Sequence, residues 1–126
     1  MLRTDVLLVA VCSTLLAAVQ AAIVCTRGGT GVTVCDPRWP IPSNPALVEL
    51  AAAHGIVICA EDNVAVAGAG LCHAIAKAGL LRPFRALGLP RHFLAHDTRR
   101  DILREHRLNA AGIAGAITDT LEGSAA

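Results

Sequence analysis

The stretch from Ile56 to Ala76 constrains the fold of this chain more than any other. It opens with Ile56, Val57, Ile58, Cys59 and Ala60, an apolar, β-branched run too short for a helix. Such a run predicts a strand covered on both faces, as in a parallel sheet. Glu61-Asp62-Asn63 follows, where that strand would leave the core at its carboxyl end. Gly68-Ala69-Gly70 permits a tight turn, and Leu71 to Ala78 is helix material with one apolar side. The unit reads strand, polar edge, glycine turn, helix. In open α/β sheets, function gathers at such carboxyl edges.

Glu61, Asp62 and Asn63 can be read as metal ligands, as an acid and base, or as groups that cap and hydrogen-bond a loop. The last is the plainer reading, because neighbouring carboxylates on a loop point in different directions. Gly68 and Gly70 have the spacing of the first two glycines of a dinucleotide loop. The third would fall at His73, however, and the polar interval after the strand is too long. A nucleotide loop is excluded.

The rest of the chain continues the alternation. Val6 to Val11 predicts a strand and Leu15 to Cys25 a helix, joined by Cys12-Ser13-Thr14. The turn Gly28-Gly29-Thr30-Gly31 leads to a second short strand, Val32 to Cys35. Asp36-Pro37-Arg38-Trp39-Pro40-Ile41-Pro42 leaves it as a proline-stiffened loop. Ser43 or Asn44 caps a helix from Pro45 to His54, with Gly55 as its stop. After Gly79, Leu80 to Leu87 predicts a fourth strand, which Pro83 places near an edge, and Gly88-Leu89-Pro90 predicts a turn. Thr98 and Asp101 have capping-box spacing before a helix with Ile102 and Leu103. Asn109 caps a final helix through Ile113 and Ile117.

The pattern predicts an α/β domain over residues 1–122, with 123–126 as a frayed tail. Its architecture is three-layer: a mostly parallel sheet with flanking helices and room for one antiparallel edge strand. The beginning admits another reading, since Val6 to Cys25 has about the length of a membrane span. Arg3 precedes it, and Val19-Gln20-Ala21 resembles a loose signal-peptide cleavage site. Asp5 and the polar Cys12-Ser13-Thr14 oppose that reading.

Composition excludes several functions. Apolar residues make up 54% against 17% charged, so the chain is not disordered. With one Trp, two Phe and no Tyr, it lacks aromatic platforms for nucleic acid. A formal charge of +1 argues against any broadly charged partner. Seven of the eleven basic residues lie between Arg82 and Arg107, as a solvated helical face or a local anion-binding one. The five cysteines sit in apolar runs without a C-x-x-C pair, which suits buried thiols in a reducing cytosol. His92 and His96 have the spacing of helical zinc ligands, but Phe93 stands where the general-base glutamate belongs. Cys72 and His73 are adjacent, and adjacent helical side chains diverge by roughly 100°. No nucleophile elbow or phosphate loop occurs. On its own residues the chain is not a complete enzyme.

Four motifs occur in order: Asp36-Pro37-Arg38-Trp39, then Glu61-Asp62-Asn63 with Gly68-Ala69-Gly70, then Leu87-Gly88-Leu89-Pro90, then Leu108-Asn109-Ala110-Ala111-Gly112-Ile113. From Asp5-Val6-Leu7-Leu8-Val9-Ala10 to the last helix, the chain resembles the C-terminal domain of 1-deoxy-D-xylulose-5-phosphate synthase, a transketolase-type enzyme. The resemblance implies a cytoplasmic protein whose first strand is Val6 to Val11. The full enzymes condense pyruvate with glyceraldehyde 3-phosphate, releasing carbon dioxide, for isoprenoid, thiamine and pyridoxal synthesis. They use thiamine diphosphate and magnesium and work as dimers.

The groups that hold this cofactor lie in two preceding domains, and the Gly-Asp-Gly of the diphosphate motif does not occur here. The resemblance therefore implies no catalytic, cofactor-binding or metal-binding residue in this chain. Asp36, Arg38, Trp39, Glu61, Asp62, Asn63, Gly68 and Gly70 carry over as structural or interface candidates. The implied role is packing and dimerisation. The chain is expected to be a detached, truncated copy without activity alone. One rival is a subunit of a split synthase, completed by a separate thiamine-binding chain or pairing with itself. The rival of another class is a small membrane or exported protein anchored by residues 6–25. A large apolar patch is expected where the missing domains would sit. Cys12, Ala67, Asp97 and Arg107 stand where the family places glycine. Where such a site requires positive φ, the substitution costs about 1–2 kcal/mol.

Overall fold

A computed structural model describes residues 5–125, so Arg3 of the leader reading and Ala126 of the expected tail lie outside the described residues. The elements are β1 (Val6–Val11), α1 (Leu15–Arg27), β2 (Val32–Cys35), α2 (Pro45–Ala52), β3 (Ile56–Val64), α3 (Val66–Lys77), β4 (Phe84–Leu89), α4 (Arg99–Glu105) and α5 (Ala110–Ala125). The strands form one sheet in the order β2-β1-β3-β4, and every pairing is parallel. The antiparallel edge allowed by the sequence is not used.

Strand alternation divides the core into two layers. Val6, Leu8 and Ala10 of β1 and Ile56, Ile58 and Ala60 of β3 face α1 and α5. Leu7, Val9 and Val11 with Val57 and Cys59 face α2 and α3. Both faces of β1 and β3 are therefore covered, which is why their sequences are apolar at every position rather than alternating. The three-layer reading stands. The anchor reading does not: residues 6–25 divide into the buried central strand and a surface helix of 13 residues. Among the described residues, no helix is long and apolar enough to cross a membrane.

Local capping follows the sequence closely. Asn44 Oδ1 accepts from the Ala46 N–H at the start of α2, Thr98 Oγ1 from Asp101 N–H at α4, and Asn109 Oδ1 from Gly112 N–H at α5. α2 ends at Ala52, two residues early, and Arg82 reaches across to its last turn. The guanidinium donates to the Ala52 and His54 carbonyls, satisfying the open end of the helix. His54, buried beside it, donates from Nδ1 to the Leu50 carbonyl at 2.6 Å and pairs through Nε2 with Thr33 of β2.

Three expectations are corrected. β4 begins only after Pro83 and runs through Gly88 and Leu89, which were expected to turn. α5 continues through Gly123 and Ser124 to Ala125 instead of fraying. His92 and His96, already discounted as a zinc pair, lie on an irregular segment. The cysteines are all free, but only Cys25 and Cys59 are buried, while Cys12 and Cys72 are exposed. Burial, with the Glu61 charge nearby, pushes the Cys59 thiol up to about 12, so it stays protonated and inert.

Of Cys12, Ala67, Asp97 and Arg107, the positions expected to be glycine, two adopt left-handed backbone: Cys12 at φ 57° and Arg107 at φ 60°. Ala67 lies inside α3, and Asp97 uses Oδ1 to accept from the Thr98 N–H. Arg107 recovers part of its strain through an ion pair with Asp119 at 3.0 Å. Cys12 has no such partner among the described residues. Cys12→Gly is expected to raise stability by about 1 kcal/mol, read as a shift of the urea midpoint; Asp97→Gly, which relieves no positive φ, is expected to gain nothing.

Candidate functional site

Strand order and helix placement locate the site. α1 returns the chain on one face of the sheet, whereas α2 and α3 pack on the other. The direction of winding therefore reverses between β1 and β3, and a crevice opens beyond their carboxyl ends. Cys12, Ser13 and Thr14 leave β1 there as a short 3-10 turn, and Glu61, Asp62 and Asn63 end β3.

β3 does not stop at Ala60 as the apolar run suggests. It continues to Val64 with a bulge, since Ala60 pairs with Leu87 but Val64 with Leu89, placing two extra residues on β3. Gly88 lies opposite the bulge, and a Cβ there would stand 2.7 Å from the Asn63 carbonyl oxygen. The bulge separates the three polar residues. Glu61 turns inward and is 4% exposed, Asp62 points into the crevice, and Asn63 is on the surface, folding back so that its Oδ1 accepts from the Val64 N–H.

The Glu61 carboxylate accepts hydrogen bonds from the Ala67 and Gly68 N–H groups at 3.3 and 3.4 Å. It thus closes the open N-terminus of α3, where no residue at the cap position offers a side chain. Burial raises its carboxyl above the ordinary range, and the two N–H groups offset part of that. The folded protein therefore holds this proton more tightly than the unfolded chain. The stabilisation is full at low pH and is lost as pH rises from the ordinary value of 4.5 through the higher folded one. Glu61→Gln, which cannot titrate, is expected to remove that slope from a plot of Tm against pH above the ordinary value of 4.5. Equal slopes in the two proteins would remove the assignment.

Asp62 pairs with Arg99 of α4, and Ser13 completes a triangle: its Oγ donates to Asp62 Oδ2 at 3.1 Å and accepts from Arg99 Nη2 at 3.1 Å. Thr14, 3% exposed, shares its hydroxyl proton between the Val11 and Ala60 carbonyls at 2.9 and 3.0 Å, stitching β1 to β3. Neither Ser13, Thr14 nor Arg99 stands out in the sequence. Only the fold brings positions 13, 62 and 99 together.

Gly68 and Gly70 are not a turn. Both lie inside α3, which begins at Val66. Gly68 is where α3 crosses β4: a Cβ on it would stand 2.9 Å from the Ala86 Cβ. Gly70 faces outward, with its nearest neighbour at 3.8 Å. The pair should therefore respond oppositely to alanine. Gly70→Ala gains helix propensity and is expected to stabilise by about 0.5–1 kcal/mol. Gly68→Ala must push the helix from the sheet and is expected to cost about 1–3 kcal/mol, both read from urea unfolding.

The loop after β2 holds the remaining candidates. Asp36 Oδ1 accepts from the Arg38 N–H at 2.9 Å, and the turn carries Arg38 at φ 60°. Trp39 projects into solvent, 82% exposed. The loop thus stands apart from the Ser13-Asp62-Arg99 triangle, at the same carboxyl end of the sheet.

The family model of the transketolase C-terminal domain matches residues 2–113. This chain belongs to the transketolase C-terminal domain family. It is 46% identical over 112 residues to 1-deoxy-D-xylulose-5-phosphate synthase 1 of Kitasatospora griseola, matching 87% of this chain and 17% of that protein. It is 41% identical over 121 residues to synthase 1 of Streptomyces coelicolor, matching 94% and 18%. The chain thus spans less than a fifth of these relatives. A split-gene transketolase solved as an inactive β4 tetramer shares the fold with a TM-score of 0.84 at 22% identity, covering 96% of this chain and 40% of that one. Glu61 is occupied by α3 and Asp62 by Arg99. Among the described residues, no three metal-ligating side chains gather, and no buried side-chain polar atom lacks a partner.

Proposed function

We propose that this chain is the C-terminal packing and dimerisation domain of a 1-deoxy-D-xylulose-5-phosphate synthase, supplying a docking face and no catalytic group. One observation carries the reading: large apolar side chains stand exposed at the carboxyl end of the sheet. Trp39 and Ile41 follow β2, Val66 follows β3, and Phe93, fully exposed, follows β4. Between the β2 loop and α3 runs a groove of about 440 Å³, lined by Pro40, Ile41, Pro42, Val66 and His73. Patches of this kind on a small domain mark a partner surface. The partner is a pair of thiamine-binding domains, which hold thiamine diphosphate and magnesium and carry the condensation of pyruvate with glyceraldehyde 3-phosphate in the cytoplasm. Alone, the chain has no activity.

The split-gene transketolase that shares this fold favours a second reading, in which those domains belong to a separate chain. One experiment addresses both. The chain is mixed with the thiamine-binding domains of a related synthase, and carbon dioxide release from the two substrates is measured with cofactor and magnesium present. Activity only in the mixture supports the docking role, and Trp39→Ser should weaken the assembly by about tenfold or more. Silence in the mixture, with no complex on a sizing column, overturns it in favour of a decayed copy.

A further inference from the structure

We propose that α4 is a hinged cover, closed over the crevice between β1 and β3 by the clasp of Arg99 on Asp62 and Ser13. This goes beyond the synthase reading and does not depend on it. α4 buries none of its seven residues, unlike α1, α2 and α3. Residues 90–98 before it form no helix or strand. At its other end, Arg107 reverses the chain at φ 60°, and its guanidinium is pinned to Asp119 of α5. A short helix between an irregular segment and an anchored pivot can move as a unit.

The polar side-chain contacts that hold it down are confined to one end. Among the described residues, every hydrogen bond or ion pair from an α4 side chain to another element runs through Arg99. Leu103 packs half-buried against the α1 and α5 layer. Arg99 and Leu103 of α4 line one open groove of about 320 Å³ with Leu16, Ala17 and Gln20 of α1 and with Leu108. Asp62 is the inward partner of the clasp, with 16% of its side chain exposed, and Arg99 the outward one with 63%. The arginine is therefore open to solvent and ions, so the clasp is weak enough to open. Release would swing Leu103 off the core and extend the groove toward Leu108 and the crevice.

Hydrogen exchange on the full chain tests this. The Ile102 and His106 N–H groups close α4 onto Thr98 and Ile102 carbonyls and report its opening. Arg99→Ala is expected to speed their exchange by about fivefold, the effect of a largely exposed ion pair, with β1 and β3 amides unchanged. Unchanged α4 exchange overturns the clasp, and an equal rise in β1 and β3 overturns the independent cover. Should the variant not fold, the unaltered chain decides. Raising salt from about 0.05 to 0.5 M should selectively speed α4 exchange by screening Arg99, and insensitivity overturns the proposal.

Discussion

Ile58→Ala is expected to cost about 4 kcal/mol and bring the domain close to unfolding at room temperature. Ile58 is wholly buried in the middle of β3, between β1 and β4, and faces the layer of α1 and α5. The sheet cannot collapse into the space left behind, because strands on both sides fix its backbone by hydrogen bonds. The loss therefore lies in the upper part of the 2–5 kcal/mol range for such truncations. Ile58→Val removes one methylene at the same place and should cost only about 1 kcal/mol. Urea unfolding of the two variants beside the parent checks the ratio. If alanine costs no more than valine, Ile58 does not pack as described.

Gly112→Ala is expected to destabilise by about 2–3 kcal/mol, although alanine is the better helix former by about 1 kcal/mol. A Cβ at 112 would stand 2.5 Å from the Arg107 Cα and 2.7 Å from its carbonyl carbon. Those are backbone atoms at the left-handed pivot, so no side-chain rotation relieves the contact. The helix must retreat, taking Ile113, Ala116 and Ile117 from the core. Thermal unfolding gives the sign directly: a higher Tm than the parent would show that the pivot yields at little expense.

The two predictions differ in how visible their sites were beforehand. Ile58 belongs to an unbroken apolar run, and the run Val6–Val11 likewise gave β1 its bounds, because a strand covered on both faces leaves that mark. Caps at Asn44, Thr98 and Asn109 were legible for the same reason: their hydrogen bonds span two or three residues. Misreadings came where the deciding neighbour is distant in sequence. Gly68 looked like a turn because what it makes room for is Ala86, on another strand. β3 seemed to end at Ala60 because the groups that justify burying Glu61 belong to α3. Ser13 and Arg99 carried no signal, since neither is unusual until the sheet sets both beside Asp62.

The placement of β1 also bears on how the chain reaches this state. Its six apolar residues are flanked by partners that come much later: Val6 pairs with Val32 on one side and Ile56 on the other. α1, next in the chain, can shelter only the Val6-Leu8-Ala10 face of β1, so loop closure over dozens of residues must precede strand pairing and the burial of its other face. During synthesis, the stickiest segment of the domain emerges first and waits longest for cover. Chaperone demand and aggregation in the nascent chain should therefore track the arrival of β3 at the ribosome exit, rather than that of β2, which leaves one flank of β1 open.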